Sequence, residues 1–240
     1  MSPKRMARVA AVFYLITLVA AIIAQGLIAE RLVSSHDAAV TAANIVAHSD
    51  LFRFGYTMYM IEMTAQIVMT MLFYELLKPV SSTASLVAAV IGVVGCGIKA
   101  LSRVFFVAPA IVLEGTKYLD TFSTEQLSSI ALLFYHVNEM GAAIAVVFFG
   151  FNTVITGWLI IRSTYFPRVL GWIAVVGGIG WLSFLWPPLG YRLSLYIAVV
   201  GLLGSLATIV WMLVYGVKEE RWTEQVRRTV TSHHLLQTSE

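Results

Sequence analysis

The chain has 240 residues, 59% of them hydrophobic and only 12% charged, with a net charge of +3. A soluble domain carries about 25% charged residues, so this composition, with a mean hydropathy of +0.82, excludes an ordinary soluble fold and predicts an all-α polytopic membrane helix bundle. The small basic surplus is no nucleic-acid signal, and the single cysteine, Cys96, excludes an intramolecular disulfide and a cysteine-based metal cluster.

A bilayer-crossing helix needs about 20 apolar residues, and six segments qualify. The first covers about 9–29. Its apolar run is too long for a cleaved signal peptide and lacks a convincing cleavage site, so it is read as a span. Next comes the segment "DAAVTAANIVAH", too short to cross. Asp37 is placed to cap a helix over 38–47 that lies at the outer interface.

The second span covers about 51–77 and is stopped by Pro79. The third covers about 84–113 and is rich in small residues (Ala88, Ala89, Gly92, Gly95, Gly97) that permit close helix contact. The fourth covers about 135–161, and Ser123-Thr124-Glu125-Gln126 resembles a helix start that would extend it backwards to Glu125. The fifth covers about 169–186, after an inner loop punctuated by Pro167. Pro187, Pro188 and Gly190 read as the turn before the sixth, about 193–217. A bundle over 1–217 is then followed by a polar, mixed-charge cytoplasmic tail over 218–240.

Loop charges set the orientation. With the N-terminus inside, the inner side holds Lys4, Arg5, Arg8, Lys78, Arg162, Arg168, Lys218, Arg221, Arg227 and Arg228, and the outer side only Arg31, Arg53, Lys117 and Arg192. This positive-inside bias predicts cytoplasmic N- and C-termini, which an even number of spans satisfies, and a multi-pass protein of the cell membrane.

Charges inside the spans are costly, about 2.5–3.5 kcal/mol each on insertion scales. The third span carries two, Lys99 and, about 6 Å further out, Arg103. Glu62 of the second span lies at a similar depth, and His136 and Glu139 share one face at the outer end of the fourth. Tyr59, Glu62, Gln66 and Thr70 follow i, i+3, i+7, i+11 spacing and make one polar stripe. Lys99 and Arg103 are expected to be balanced by Glu62 and Glu139 in a polar pocket among spans two, three and four, opening outward, with Arg53, Tyr56 and His48 at its rim. Ligand-binding candidates are therefore Glu62, Lys99, Arg103, His136, Glu139, Tyr59 and Gln66.

Other chemistry is thinly signalled. His36, Asp37, His48, Asp50, His136 and Glu139 fall on the same predicted side, but no fixed metal-ligand spacing is present and none is assigned as a metal site. His233 and His234 lie on the opposite side, in the tail. No Walker-type loop or catalytic Ser–His motif occurs, and nothing points to a cofactor.

Several stretches resemble one bacterial integral membrane family: "ARVAAVFYLITLVAA", "HDAAVTAANIVAHSDLFRFG", "LFYELLKPV", and "FYHVNEMGAAIAVVFFGFNTVITGWLIIRSTYFPRVLGWIAVVGGIGWL". The family is catalogued as domain of unknown function 4386. The resemblance runs from about residue 8 to 215, and "GWLIIRSTYFPRVLG" is its most specific piece. His36 stands where the family usually carries glycine. The resemblance implies a multi-helix membrane protein and no particular activity.

Three functions follow as expectations. The first is binding or transport of a small amphipathic or anionic ligand, a lipid or another small molecule, in the outward-opening pocket. The second is an accessory role in which the buried ion pairs only set helix register. The third is an intramembrane enzyme using His136 and Glu139, with or without a metal.

Overall fold

The computed structural model describes residues 1–115 and 117–237, the side chains of Tyr118 and of 229–237 excepted. The described chain is all-helical, without strands. Its helices are α1 (Pro3–Leu32), α2 (Ala38–Ala47), α3 (Ser49–Leu77), α4 (Ser82–Leu113), α5 (Thr124–Arg162), α6 (Arg168–Leu182), α7 (Pro187–Val214) and α8 (Glu219–Gln237). Short 3-10 turns cover Lys117–Leu119 and Ser183–Leu185. Six helical segments, α1, α3, α4, α5, α6 with its 3-10 turn, and α7, are long and apolar enough to cross a bilayer. The chain is a multi-pass membrane protein of the expected six spans.

Chain contacts divide the molecule into two compact units. One comprises Met1–Leu15, Gln66–Gly95 and the chain from Val146 onward; the other comprises Ile16–Ala65 and Cys96–Ala145. They are called here the apolar and the polar unit after their cores.

In the apolar unit, Ala7, Ala10, Leu76, Leu159, Tyr165 and Met212 are among the residues of one buried cluster. The polar side chains around it mostly close off helix ends. Proline at 79 has no N–H and cannot continue α3. The amide of Val80 turns to the carbonyl of Leu77 at 2.9 Å, and the carbonyl of Leu76 accepts from the Tyr165 hydroxyl at 2.7 Å and the Trp222 indole at 3.1 Å. Where α5 meets α6, glycines replace side chains. A Cβ on Gly157 would lie 2.7 Å from the carbonyl oxygen of Gly171, and a Cβ on Gly171 equally close to that of Gly157. Close backbone approach of this kind drives helix association in lipid, where apolar side chains gain little by burial. In α4, Gly92 opens a slot for Asn152, whose amide donates to the carbonyl of Ala88 at 2.7 Å. Gly95 packs against Phe148 and Phe149. The first turns of α8 join this unit, with Arg221 donating to the carbonyl of Thr164 at 3.3 Å. The side chains of His233 and His234 lie outside the described residues.

In the polar unit, α2 is capped as expected: the Asp37 carboxylate accepts from the amide of Val40 at 2.9 Å. Asn44 of α2 donates to the carbonyl of Leu32, closing the end of α1. The early start of α5 is also as expected. Ser123 and Gln126 form a reciprocal capping box, each backbone amide donating to the other's side chain.

Two boundaries differ from expectation for physical reasons. Helix α1 begins at Pro3, six residues before its apolar run, because Arg8 reaches the open carbonyl of Val214 and the Lys4 amide reaches Glu219. Helix α7 begins at Pro187, because a proline in the first helical turn sacrifices no hydrogen bond. The turn between α6 and α7 falls on Ser183–Leu185 instead.

Candidate functional site

All members of the buried charge cluster belong to the polar unit. Lys99 of α4 donates to Glu62 of α3 at 2.5 Å, with side chains 16% and 4% exposed. Arg103, one turn further along α4, is 2% exposed. Its Nη1 donates to the Asn138 side-chain carbonyl of α5 at 2.8 Å. Its guanidinium carbon stands 3.6 Å above the centre of the Tyr59 ring, where the negative π face attracts a cation.

Close backbone approaches make these contacts reachable. A Cβ on Gly141 would lie 2.6 Å from the Cβ of Ser102, so α4 and α5 nearly touch there. Ser102 turns its hydroxyl back onto the carbonyl of Lys99 at 2.7 Å. Asn138, three residues before Gly141, thereby comes within reach of Arg103, the residue after Ser102. In α3, a Cβ on Gly55 would lie 3.0 Å from Ile28 of α1. One turn further on, Tyr59 donates to the side-chain carbonyl of Gln25 at 2.6 Å, and Tyr135 of α5 hydrogen-bonds the same amide. Gln25 sits in a π-helical stretch, Ile22–Ala29; such widened turns often occur at functional positions. Phe106 completes the floor, edge-on to Tyr59 at 5.1 Å and stacked on Phe52 at 4.4 Å.

The charges do not cancel within contact distance. Lys99 and Glu62 neutralise each other, whereas among the described residues no carboxylate lies within salt-bridge distance of Arg103. Two buried polar atoms of the cluster, Glu62 Oε2 and Arg103 Nε, have no hydrogen-bond partner among the described residues. The arrangement is a buried cluster holding one fixed cation with no carboxylate in salt-bridge contact, and with one donor and one acceptor unused among the described residues.

The remaining predicted residues are placed differently. Glu139, expected to balance the cations, contacts His136 at 3.3 Å on a half-exposed face of α5; the two are three residues apart and need no partner helix to meet. Gln66 falls in the apolar unit, where its carbonyl accepts from the Thr70 hydroxyl. Tyr59, Glu62 and Thr70 of the same stripe are buried. Arg53 and Tyr56 line a groove between α3 and α4, and Arg53 pairs with Glu114 at 2.5 Å. The His48 ring is held to the carbonyl of Asn44 at the end of α2. Among the described residues no three His, Cys, Asp or Glu side chains are placed to share a metal ion.

Residues 9–216 match the model of the family described as a domain of unknown function, DUF4386. The chain belongs to the DUF4386 family. The matched region contains the whole cluster, from Gln25 of α1 to Asn138 of α5. No curated protein and no solved structure matches the chain.

Gln25, Asn138 and Tyr135 are the cluster members that the sequence did not single out as ligand-binding. Gln25 carried a signal: it is the one amide side chain in the apolar run 9–29. Asn138 is three residues from Tyr135 and lies beside Glu139, whose charge drew attention first.

Proposed function

We propose that this protein binds, and moves across the membrane, a small anionic or amphipathic molecule at the Glu62–Lys99–Arg103 cluster. The observation that carries this reading is the lone guanidinium of Arg103, 2% exposed and without a carboxylate within salt-bridge distance among the described residues. An isolated buried charge is expensive and normally acquires a counter-charge. An anion entering the cluster supplies it. Arg103 Nε offers an unused donor, Lys99 offers a second cation, and Glu62 is the group displaced when Lys99 changes partner. In this reading both termini are cytoplasmic, the orientation that the positive-inside bias of the loop charges favours, and the cluster is reached from the outer face of the cell membrane.

A second reading is favoured by the contacts Arg103 already makes. Asn138 and the Tyr59 ring hold it in one position, as a cation kept only to fix helix register would be held. Native mass spectrometry of the purified chain separates the two. Under the first reading a small anionic species co-purifies with the wild type and is absent from Arg103→Met, while helix content is unchanged. A wild type that carries no such species, and that no organic anion in a screening panel stabilises against heat, belongs to the second.

A further inference from the structure

On the outer side of the α3–α4 pair, sharing Phe52 with the floor of the Arg103 cluster but none of its charged groups, runs an apolar groove of about 350 Å³. Tyr56 forms one wall and Val104, Val107 and Ile111 the other, a stripe at i, i+3 and i+7 on one face of α4. Val104, Ile111 and Tyr56 are 62%, 48% and 36% exposed. The groove therefore opens sideways, towards lipid. Its upper end is closed by Arg53 and Glu114, in contact at 2.5 Å, with side chains 62% and 52% exposed. Arg53 lies in the first turns of α3, and Glu114 directly follows α4. The pair therefore sits where these helices leave the hydrocarbon.

From Val104 to Glu114 the groove follows α4 for ten residues, about 15 Å. That is half of a hydrocarbon core about 30 Å thick, the depth of one leaflet. We infer that the groove is a binding site for one phospholipid with a primary-ammonium headgroup: an acyl chain lies along Val104–Ile111, Arg53 holds the phosphate, and Glu114 holds the ammonium. The charge pattern selects this headgroup. One guanidinium and one carboxylate side by side complement a zwitterion, the guanidinium as a planar donor fork for phosphate and the carboxylate as an acceptor for N–H donors. A singly anionic headgroup would satisfy Arg53 and be repelled by Glu114. The exposed Arg53–Glu114 contact is worth little by itself, so opening it to admit a headgroup costs little.

The full chain is purified in mild detergent, mixed with equal amounts of phosphatidylethanolamine and phosphatidylglycerol of identical acyl chains, and examined by native mass spectrometry. Wild type is expected to retain the ethanolamine lipid about threefold over the glycerol lipid, as suits exposed charge contacts. Glu114→Lys should reverse that preference, and Val104→Trp, which fills the groove, should abolish retention of both. Equal retention of the two lipids by wild type identifies ordinary annular lipid and overturns the inference. So does a preference that Glu114→Lys leaves unchanged, or retention that Val104→Trp leaves intact. Both substitutions lie at exposed positions; should Val104→Trp misfold by circular dichroism, Ile111→Trp on the same wall replaces it.

Discussion

The two units solve the same problem, joining helices in an environment where apolar burial is a weak drive, by opposite means. The apolar unit uses absence: glycines at 157 and 171 bring α5 and α6 into backbone contact, and its polar contacts, at helix ends and at Asn152, involve no buried ion pair among the described residues. The polar unit uses presence: an ion pair, a cation over a ring and a shared amide tie α1, α3, α4 and α5 together at mid-helix. Glycine contacts require only fit. Buried charges cost free energy unless matched, and the one left unmatched, Arg103, lies in the unit whose architecture is the costlier. That cost is hard to explain by packing alone, since the apolar unit packs without it.

The largest break in this comparison should come from splitting the ion pair. Glu62→Leu leaves Lys99 buried without its carboxylate and should destabilise by about 3–5 kcal/mol, measured by denaturant unfolding in detergent. Glu62→Leu with Lys99→Met should recover most of that loss, because the demand for a counter-charge goes with the charge. Gly171→Ala tests the other unit. Its new methyl group would press on the carbonyl of Gly157, at a cost of about 1–3 kcal/mol, yet any anion retained at Arg103 should stay bound in the mass spectrum.

Smaller effects sharpen the contrast further. Tyr59→Phe keeps the ring beneath Arg103 but removes the hydroxyl donated to Gln25; the expected loss is about 1 kcal/mol. Asp37→Ala removes the cap of α2 and should cost a similar or smaller amount, about 0.5–1 kcal/mol, seen as faster amide exchange at Val40. The smallest effect is local and pH-dependent. Hydrogen bonds from the Ser2 hydroxyl and the Lys4 amide hold the exposed Glu219 carboxyl below its usual range. A depressed folded pKa contributes stability above the unfolded value and loses it as pH falls through the folded one. Acidification should therefore lower the protection of the Lys4 amide relative to its intrinsic exchange rate at the same pH, and Glu219→Gln should remove that pH dependence of protection.

What the sequence disclosed follows the range of the interactions. The six spans, the Asp37 cap and the Ser123–Gln126 box depend on residues within a few positions of one another, and they were legible. Proline at 187 misled because a proline pair marks a turn and a helix start alike. The partners of Arg103 were harder, because they depend on helix rotation and on where glycines let backbones meet. Depth put Glu62 level with both Lys99 and Arg103 without choosing between them, and it meets Lys99, whereas Glu139 contacts its neighbour His136. Nothing local announced the π-helical stretch that carries Gln25.

Helix α5 is 39 residues long, a rod of about 58 Å, nearly twice the thickness of the oil it crosses. Asn138, which holds Arg103, stands fourteen residues from its capped tip at Thr124. Like the needle of a gauge, that outer stretch magnifies small rotations: a tilt of about five degrees about Asn138 moves the tip by about 2 Å over those fourteen residues. A fluorophore or spin label near Glu125 would therefore report from water what the guanidinium does within the bilayer.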